Sequence, residues 1–315
     1  MTTQNAAALI PVSRPTIGMA MMVAAMLLLP VGDTLVKLLT QVLAPAQLAA
    51  MRCFVQACAL AIMFFVFRKK QRGKIFTHWS VLSGCLAAVI SISLITAFQA
   101  MPIATAIAIF FVEPLILTLL AGVFLREKPG PRRYVAIGVG MLGVLLILRP
   151  NFAEFGLVVI YPLIGATAYA LNMIVSKQAT QRSSALTFQV GASSCAAVAA
   201  IVWMFAQQEQ GDALVALTSI PPWVLGSVIV SGILAAVTFL LIASAFSFAQ
   251  ASLLAPFQYL EILGATALGF WIFGDVPDTL TIIGALILLG SGLYLLHRER
   301  KAEIPSQQIR ARNDR

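Results

Sequence analysis

The chain has 315 residues, of which 60% are hydrophobic and only 10% charged, and its mean hydropathy is +0.94. A soluble domain of this length cannot hide so much apolar surface, because much of a folded protein's surface stays in water, so a soluble enzyme and a disordered chain are both excluded. The net charge of +9 would point to nucleic acid in a soluble protein, so the placement of the basic residues has to decide its meaning.

A membrane helix takes about 20 apolar residues, and the apolar share is enough for about ten of them. Apolar runs separated by polar, Gly or Pro breaks predict spans at 17–39, 47–67, 79–99, 102–125, 133–149, 155–177, 185–206, 222–245, 251–273 and 279–297. The first span is too long for a signal peptide and contains Asp33 and Lys37. These two lie at i, i+4 in the favourable acid-first order. Either they form an ion pair at the end of the span, or Asp33 lines a pathway with Arg52. Arg52 lies about 8 Å into span 2. It can hold a carboxylate or phosphate, pair with Asp33, or snorkel.

Span 4 contains Glu113 followed by Pro114, and span 9 contains Pro256, Gln258, Tyr259 and Glu261. At 1.5 Å per residue Glu113 lies about 16 Å deep and Glu261 about 15 Å deep, both near the midplane of a core about 30 Å thick. A carboxylate there is costly unless it faces a cavity or a partner helix. It serves either in proton coupling and substrate binding or as an interhelical hydrogen-bonding group. Proline frees a backbone carbonyl, and such places often line cavities. Tyr169 and Asn172 are polar positions within span 6 and are weaker pathway candidates. Trp203, Trp223 and Trp271 lie near span ends, as interfacial anchors do. Gly138, Gly143, Gly284 and Gly290 read as close-packing positions. Cys53, Cys58, Cys85 and Cys195 have no CxxC spacing and read as small buried hydrophobes.

The loops set the orientation. Eighteen of the 21 basic residues fall before span 1, after spans 2, 4 and 6, or in the C-terminal tail, which all lie on one side if there are ten spans. The other side holds Glu209, Asp212, Asp275 and Asp278. The positive-inside rule then places both termini in the cytoplasm. Topology thus accounts for the charge, and no nucleic-acid partner is expected. The tail 298–315 reads as disordered, and 1–16 as a cytoplasmic N-terminal segment.

The chain also repeats itself. Sliding 97–129 onto 245–277 pairs Ala97-Phe98 with Ala245-Phe246, Glu113 with Glu261, Thr118 with Thr266 and Pro129 with Pro277, and sets acidic Glu127 on Asp275. Two units of five spans, 17–150 and 151–297, follow. Five is odd, so the second unit enters the membrane inverted. The matched loops agree: Leu125-Arg126-Glu127-Lys128-Pro129 is basic and Phe273-Gly274-Asp275-Val276-Pro277 is acidic. Inverted repeats are characteristic of secondary transporters.

Phe111-Val112-Glu113-Pro114-Leu115 with Phe124-Leu125-Arg126-Glu127-Lys128, Tyr259-Leu260-Glu261 with Ile272-Phe273-Gly274-Asp275, and the segment from Gly138 to Pro150 resemble the EamA-type branch of the drug/metabolite transporter superfamily over 17–297. The fourth helix of that family often ends in Gly-Glu. Here Arg126 replaces that Gly, and Asp275 replaces that Glu in the second half. The resemblance implies an all-α integral membrane fold of ten transmembrane helices in two inverted five-helix repeats. It also implies transport of a small organic solute across a bacterial inner membrane by alternating access. The leading expectation is vitamin uptake of the riboflavin kind. Export of amino acids or drugs, and a non-transporting receptor or assembly protein, are the alternatives. No ATP-binding motif is present, no cofactor is called for, and no clustered catalytic residues support an enzyme. The expected partners are a small-molecule substrate and the lipid bilayer. The candidate substrate-binding or coupling residues are Glu113, Glu261, Arg52, Asp33, Tyr259, Pro114, Pro256, Asn172 and Tyr169.

Overall fold

A computed structural model describes residues 14–68, 71–124, 131–180, 182–207, 220–249, 254, 257–258, 260–276, 278–291 and 293–294. Every element among the described residues is helical. In chain order they are α1 (Arg14–Leu39), α2 (Pro45–Phe67), α3 (His78–Ala100), α4 (Ile103–Phe110), α5 (Glu113–Phe124), α6 (Pro131–Phe155), α7 (Ile160–Ala179), α8 (Ala185–Ala206), α9 (Pro222–Phe248), α10 (Leu260–Leu268, prolonged by a π-helical turn Gly269–Phe273) and α11 (Thr279–Ser291). Among the described residues six helices are long and apolar enough to cross a membrane. The apolar stretches Ile103–Leu117, Gly138–Leu148, Leu260–Phe273 and Thr279–Ser291 are shorter.

Local sequence fixes the helix ends. Pro45 and Pro222 stand at the first helical positions of α2 and α9, where the missing N–H costs nothing. Thr77 and Ser80 form a reciprocal capping box at the start of α3. The Ser184 hydroxyl accepts from the Thr187 N–H to cap α8, and the Asp278 carboxylate accepts from the N–H groups of Leu280 and Thr281 to cap α11.

The burial pattern is inside-out relative to a soluble protein. Phe65, Leu142, Val198 and Trp271 are exposed, whereas Asp33, Glu113 and Glu261 are buried. A solvent of lipid tails produces this pattern, because apolar side chains can face outward while polar groups must find partners or water inside. The chain is an all-α, multi-pass membrane protein.

Within the bundle α1 lies along α9, α2 along α8, and α3 between α7 and α8, while α10 packs on α1. α6 and α11 meet backbone to backbone. A Cβ at Gly143 would stand 2.7 Å from the Gly284 carbonyl oxygen, and one at Gly284 would stand 2.6 Å from the Gly143 oxygen. Only glycine permits that approach. Gly138 and Gly290 do not pack closely as the sequence predicts: among the described residues nothing lies within 4 Å of where their Cβ would be.

Three other expectations are corrected. Cys58 and Cys85 are exposed rather than buried, because each lies on the outward face of its helix, where an apolar thiol suits lipid. Span 5 does not end at 149. α6 continues to Phe155, and a 3-10 turn starting at Gly156, with φ +61, redirects the chain into α7. Asn151 in that extension is buried and donates from Nδ2 to the Ile147 carbonyl at 2.5 Å and to Thr281 Oγ at 2.9 Å, tying α6 to α11. Finally, Lys37 does not pair with Asp33. Its Nζ lies 2.5 Å from Asp275 Oδ2 and 4.5 Å from the centre of the Phe273 ring. One helical turn separates Asp33 from Lys37, but packing turns Asp33 inward and leaves Lys37 to meet the end of α10.

Candidate functional site

The span predicted at 102–125 is broken. α4 ends at Phe110, Phe111 and Val112 form a turn, and α5 begins at Glu113. Proline at 114 falls in the first turn of the new helix, where its missing N–H leaves no bond unmade. The Glu113 carboxyl sits at a helix N-terminus, the end that favours negative charge. Glu113 is 4% exposed, and its Oε1 has no hydrogen-bond partner among the described residues.

That carboxyl opens on a cavity between α1, α2, α3, α4, α5, α7, α8, α9 and α10, with about 1140 Å³ of empty space including its mouth. The cavity follows α3 from Ser83 to Phe98, about 22 Å at 1.5 Å per residue. It has two poles. At the first, Asp33 of α1 and Arg52 of α2 face each other within electrostatic range, and Arg52 Nε has no hydrogen-bond partner among the described residues. Glu261 interacts electrostatically with Asp33 and with Glu113, and both glutamates act on Tyr169. The Tyr169 ring meets Phe110 edge-on, with centroids 5.5 Å apart and planes at 73°. At the second pole the polar groups are neutral: Ser83, Asn172, Gln189 and Ser193. The Ser83 hydroxyl donates to Asn172 Oδ1 at 2.6 Å, and Gln189 Nε2 donates to the Phe239 carbonyl at 3.3 Å.

The charged pole ends beneath an apolar plug. Val36, Leu39, Leu48, Phe98, Ile103 and Val224, from the adjoining ends of α1, α2, α3, α4 and α9, are at most 1% exposed. The Lys37–Asp275 pair closes the same end. Its geometry depends on Gly274, which ends the π-helical turn in the left-handed region at φ +70 and directs the chain back so that Asp275 reaches Lys37. Thr40, whose hydroxyl donates to the Lys37 carbonyl, holds the adjoining end of α1.

Six sequence candidates therefore line one cavity: Asp33, Arg52, Glu113, Tyr169, Asn172 and Glu261. Pro114 is placed by its backbone in the first turn of α5. Pro256 and Tyr259 lie outside the described residues, as do the tail 298–315 and Glu127, while Gln258 lines the cavity. Gln56, Ser83 and Gln189, and the rings of Phe110 and Phe239, also line it and were not singled out from the sequence. An amide inside an otherwise apolar helix is a signal that the charge pattern overshadows.

Comparison with known proteins gives the same class. The model of the EamA-like transporter family matches the chain twice, over 16–149 and 156–296. An S-adenosylmethionine uptake transporter of Rickettsia bellii is 31% identical over 201 residues, 64% of this chain and 66% of that protein. The chain thus spans slightly under two thirds of the length of that relative. A riboflavin transporter of Rhizobium johnstonii is 26% identical over 236 residues, 72% of this chain and 74% of that one. A pseudopaline exporter of Pseudomonas aeruginosa is 22% identical over 277 residues, 86% and 93% of the two chains. One protein of known crystal structure shares the fold with a TM-score of 0.60 at 15% identity, over 92% of this chain and 98% of its own. Two successive matches to one family description, separated only at 150–155, make the chain a member of the EamA-like transporter family.

Proposed function

We propose that the protein is a secondary transporter that takes up a small organic metabolite across the bacterial inner membrane. Its ten spans form two inverted five-helix repeats, 17–150 and 151–297, with both termini cytoplasmic. The single observation that carries this reading is the buried cavity that unites three carboxylates, one guanidinium and aromatic rings inside a lipid-facing helical bundle. The double family match supports the repeat, and the four shorter apolar stretches beside the six long spans support the count.

The mechanism is alternating access. In this orientation the plug and the Lys37–Asp275 pair close the periplasmic end, so the structure corresponds to a state shut from outside. Opening requires Lys37 and Asp275 to separate. Glu113 and Glu261 exchange a proton for solute, since both line the cavity and neither has an ion-pair partner among the described residues. Arg52 anchors an anionic group of the solute. Three carboxylates against one guanidinium favour a solute that carries a positive group. Of the solutes named for relatives, S-adenosylmethionine, whose sulfonium and ammonium outnumber its one carboxylate, fits that balance better than the neutral ring of riboflavin.

Uptake by proteoliposomes containing only this chain tests the reading, with S-adenosylmethionine and riboflavin as solutes. The expected result is saturable flux of one of them, and Glu113→Gln or Glu261→Gln abolishes its pH dependence. Absence of flux for both solutes, or unchanged pH dependence in both variants, overturns it. An export role is the second reading, favoured by the long alignment with the pseudopaline exporter. Efflux from loaded vesicles without counterpart uptake distinguishes it.

A further inference from the structure

We infer that Asn172 and Gln189 form a paired donor–acceptor subsite that recognises the polar edge of a planar heteroaromatic ring, at the pole of the cavity opposite Arg52. The inference rests on the transporter reading and names the solute class of its cavity.

Each amide is held by one of its two ends. A carboxamide offers one acceptor oxygen and two N–H donors. Ser83 is buried, and its hydroxyl occupies Asn172 Oδ1. That fixes the rotamer and leaves Nδ2, with both hydrogens unclaimed by the described residues, to face the cavity. Gln189 is held the other way. One of its Nε2 hydrogens goes to the Phe239 carbonyl, which orients the amide and leaves Oε1 as an acceptor unclaimed by the described residues. One donor and one acceptor, each oriented by a second contact, are what reads an aminopyrimidine or imide edge. On such an edge a ring N–H or amino group lies next to a ring nitrogen or carbonyl oxygen.

The surroundings suit a flat ring. Tyr169 and Asn172 are three residues apart on α7 and share a face. Gln189, Ala192, Ser193 and Ala196 recur at helical spacing on α8, so methyl-sized side chains flank the amide. Ala87 sits one turn beyond Ser83 on α3. Small residues leave a slot, while Tyr169 and Phe239 supply aromatic walls that favour stacking. The charged pole lies too far along α3 to serve the same end of a solute. Asp33 and Arg52 therefore hold the ionic tail of a molecule whose ring occupies the slot.

The test is binding to the full chain in lipid nanodiscs, with S-adenosylmethionine and riboflavin as ring-bearing probes and methionine and arginine as ring-free ones. The expected result is that a ring-bearing probe binds at least tenfold more tightly than either ring-free one. Asn172→Asp and Asn172→Leu, which both remove the donors, and Gln189→Leu, which removes the acceptor, each lower ring-probe affinity about tenfold or more, the scale of one buried hydrogen bond left unmade. Ring-free affinity stays within about twofold, which general damage to the fold would not allow. The inference is overturned if a ring-free probe binds as well as the ring-bearing ones, if neither ring-bearing probe binds, or if the variants lower all affinities equally or none. Tight ring-selective binding without flux refutes the transporter reading and leaves the subsite standing.

Discussion

Removing the charge of Asp275 should open the end of the cavity beneath the apolar plug, which is the periplasmic end in the proposed orientation. Lys37 and Asp275 are mostly buried, at 14% and 19% side-chain exposure, and 2.5 Å apart. A fully exposed pair contributes about 0.2–1 kcal/mol, and partial burial puts this one near the top of that range. The Phe273 ring adds about 0.5–1 kcal/mol to the Lys37 ammonium. Asp275→Asn deletes only the ion pair and should shift the equilibrium toward outward opening by about 1 kcal/mol, roughly fivefold. Lys37→Ala deletes both contacts and should shift it by about 2 kcal/mol, roughly thirtyfold. The reporter is Cys53, which is 3% exposed and lines the cavity beside Arg52. With Cys58, Cys85 and Cys195 replaced by Ala, a membrane-impermeant maleimide added to intact cells labels Cys53 only when the outer end opens. Labelling should accelerate in the order wild type, Asp275→Asn, Lys37→Ala, and the charge-swapped pair Lys37→Asp with Asp275→Lys should restore protection. Equal rates in all four proteins would refute a latch, and so would a swap that labels as fast as the singles.

Four further outcomes follow from the packing and the cavity. Gly284→Ala drives a methyl group against the Gly143 carbonyl and should lower the melting temperature of the detergent-purified protein, at a cost of about 1–3 kcal/mol. Gly290→Ala, in the same helix with no described residue within 4 Å of its Cβ position, should leave the melting temperature unchanged or raise it by removing helical glycine. Asn151→Ala removes one hydrogen bond within α6, to the Ile147 carbonyl, and one across to Thr281 of α11, and should cost about 1–3 kcal/mol in the same melting assay. Arg52→Gln should weaken binding of S-adenosylmethionine but not of a decarboxylated analogue. Equal loss for both would show that Arg52 does not hold the solute carboxylate.

The sequence by itself determined the class and the list of suspects. Membrane helices bury their own backbone hydrogen bonds, so span and loop positions follow from hydropathy without knowledge of neighbours. A carboxylate in an apolar span is costly enough to mark itself, and Glu113, Glu261 and Asp33 were legible for that reason. Tertiary packing decided what one helix cannot encode. Lys37 stands one turn from Asp33, yet its partner is Asp275, 238 residues away, because the rotation of α1 in the bundle sets which side chains meet. Asn172 was legible as a polar position in span 6 and Gln189 was not, and for both only the tertiary contacts with Ser83 and the Phe239 carbonyl decide which amide atoms remain free. Periodicity reports which face of a helix is apolar. Which polar atom is left unsatisfied beside a cavity depends on the helices around it.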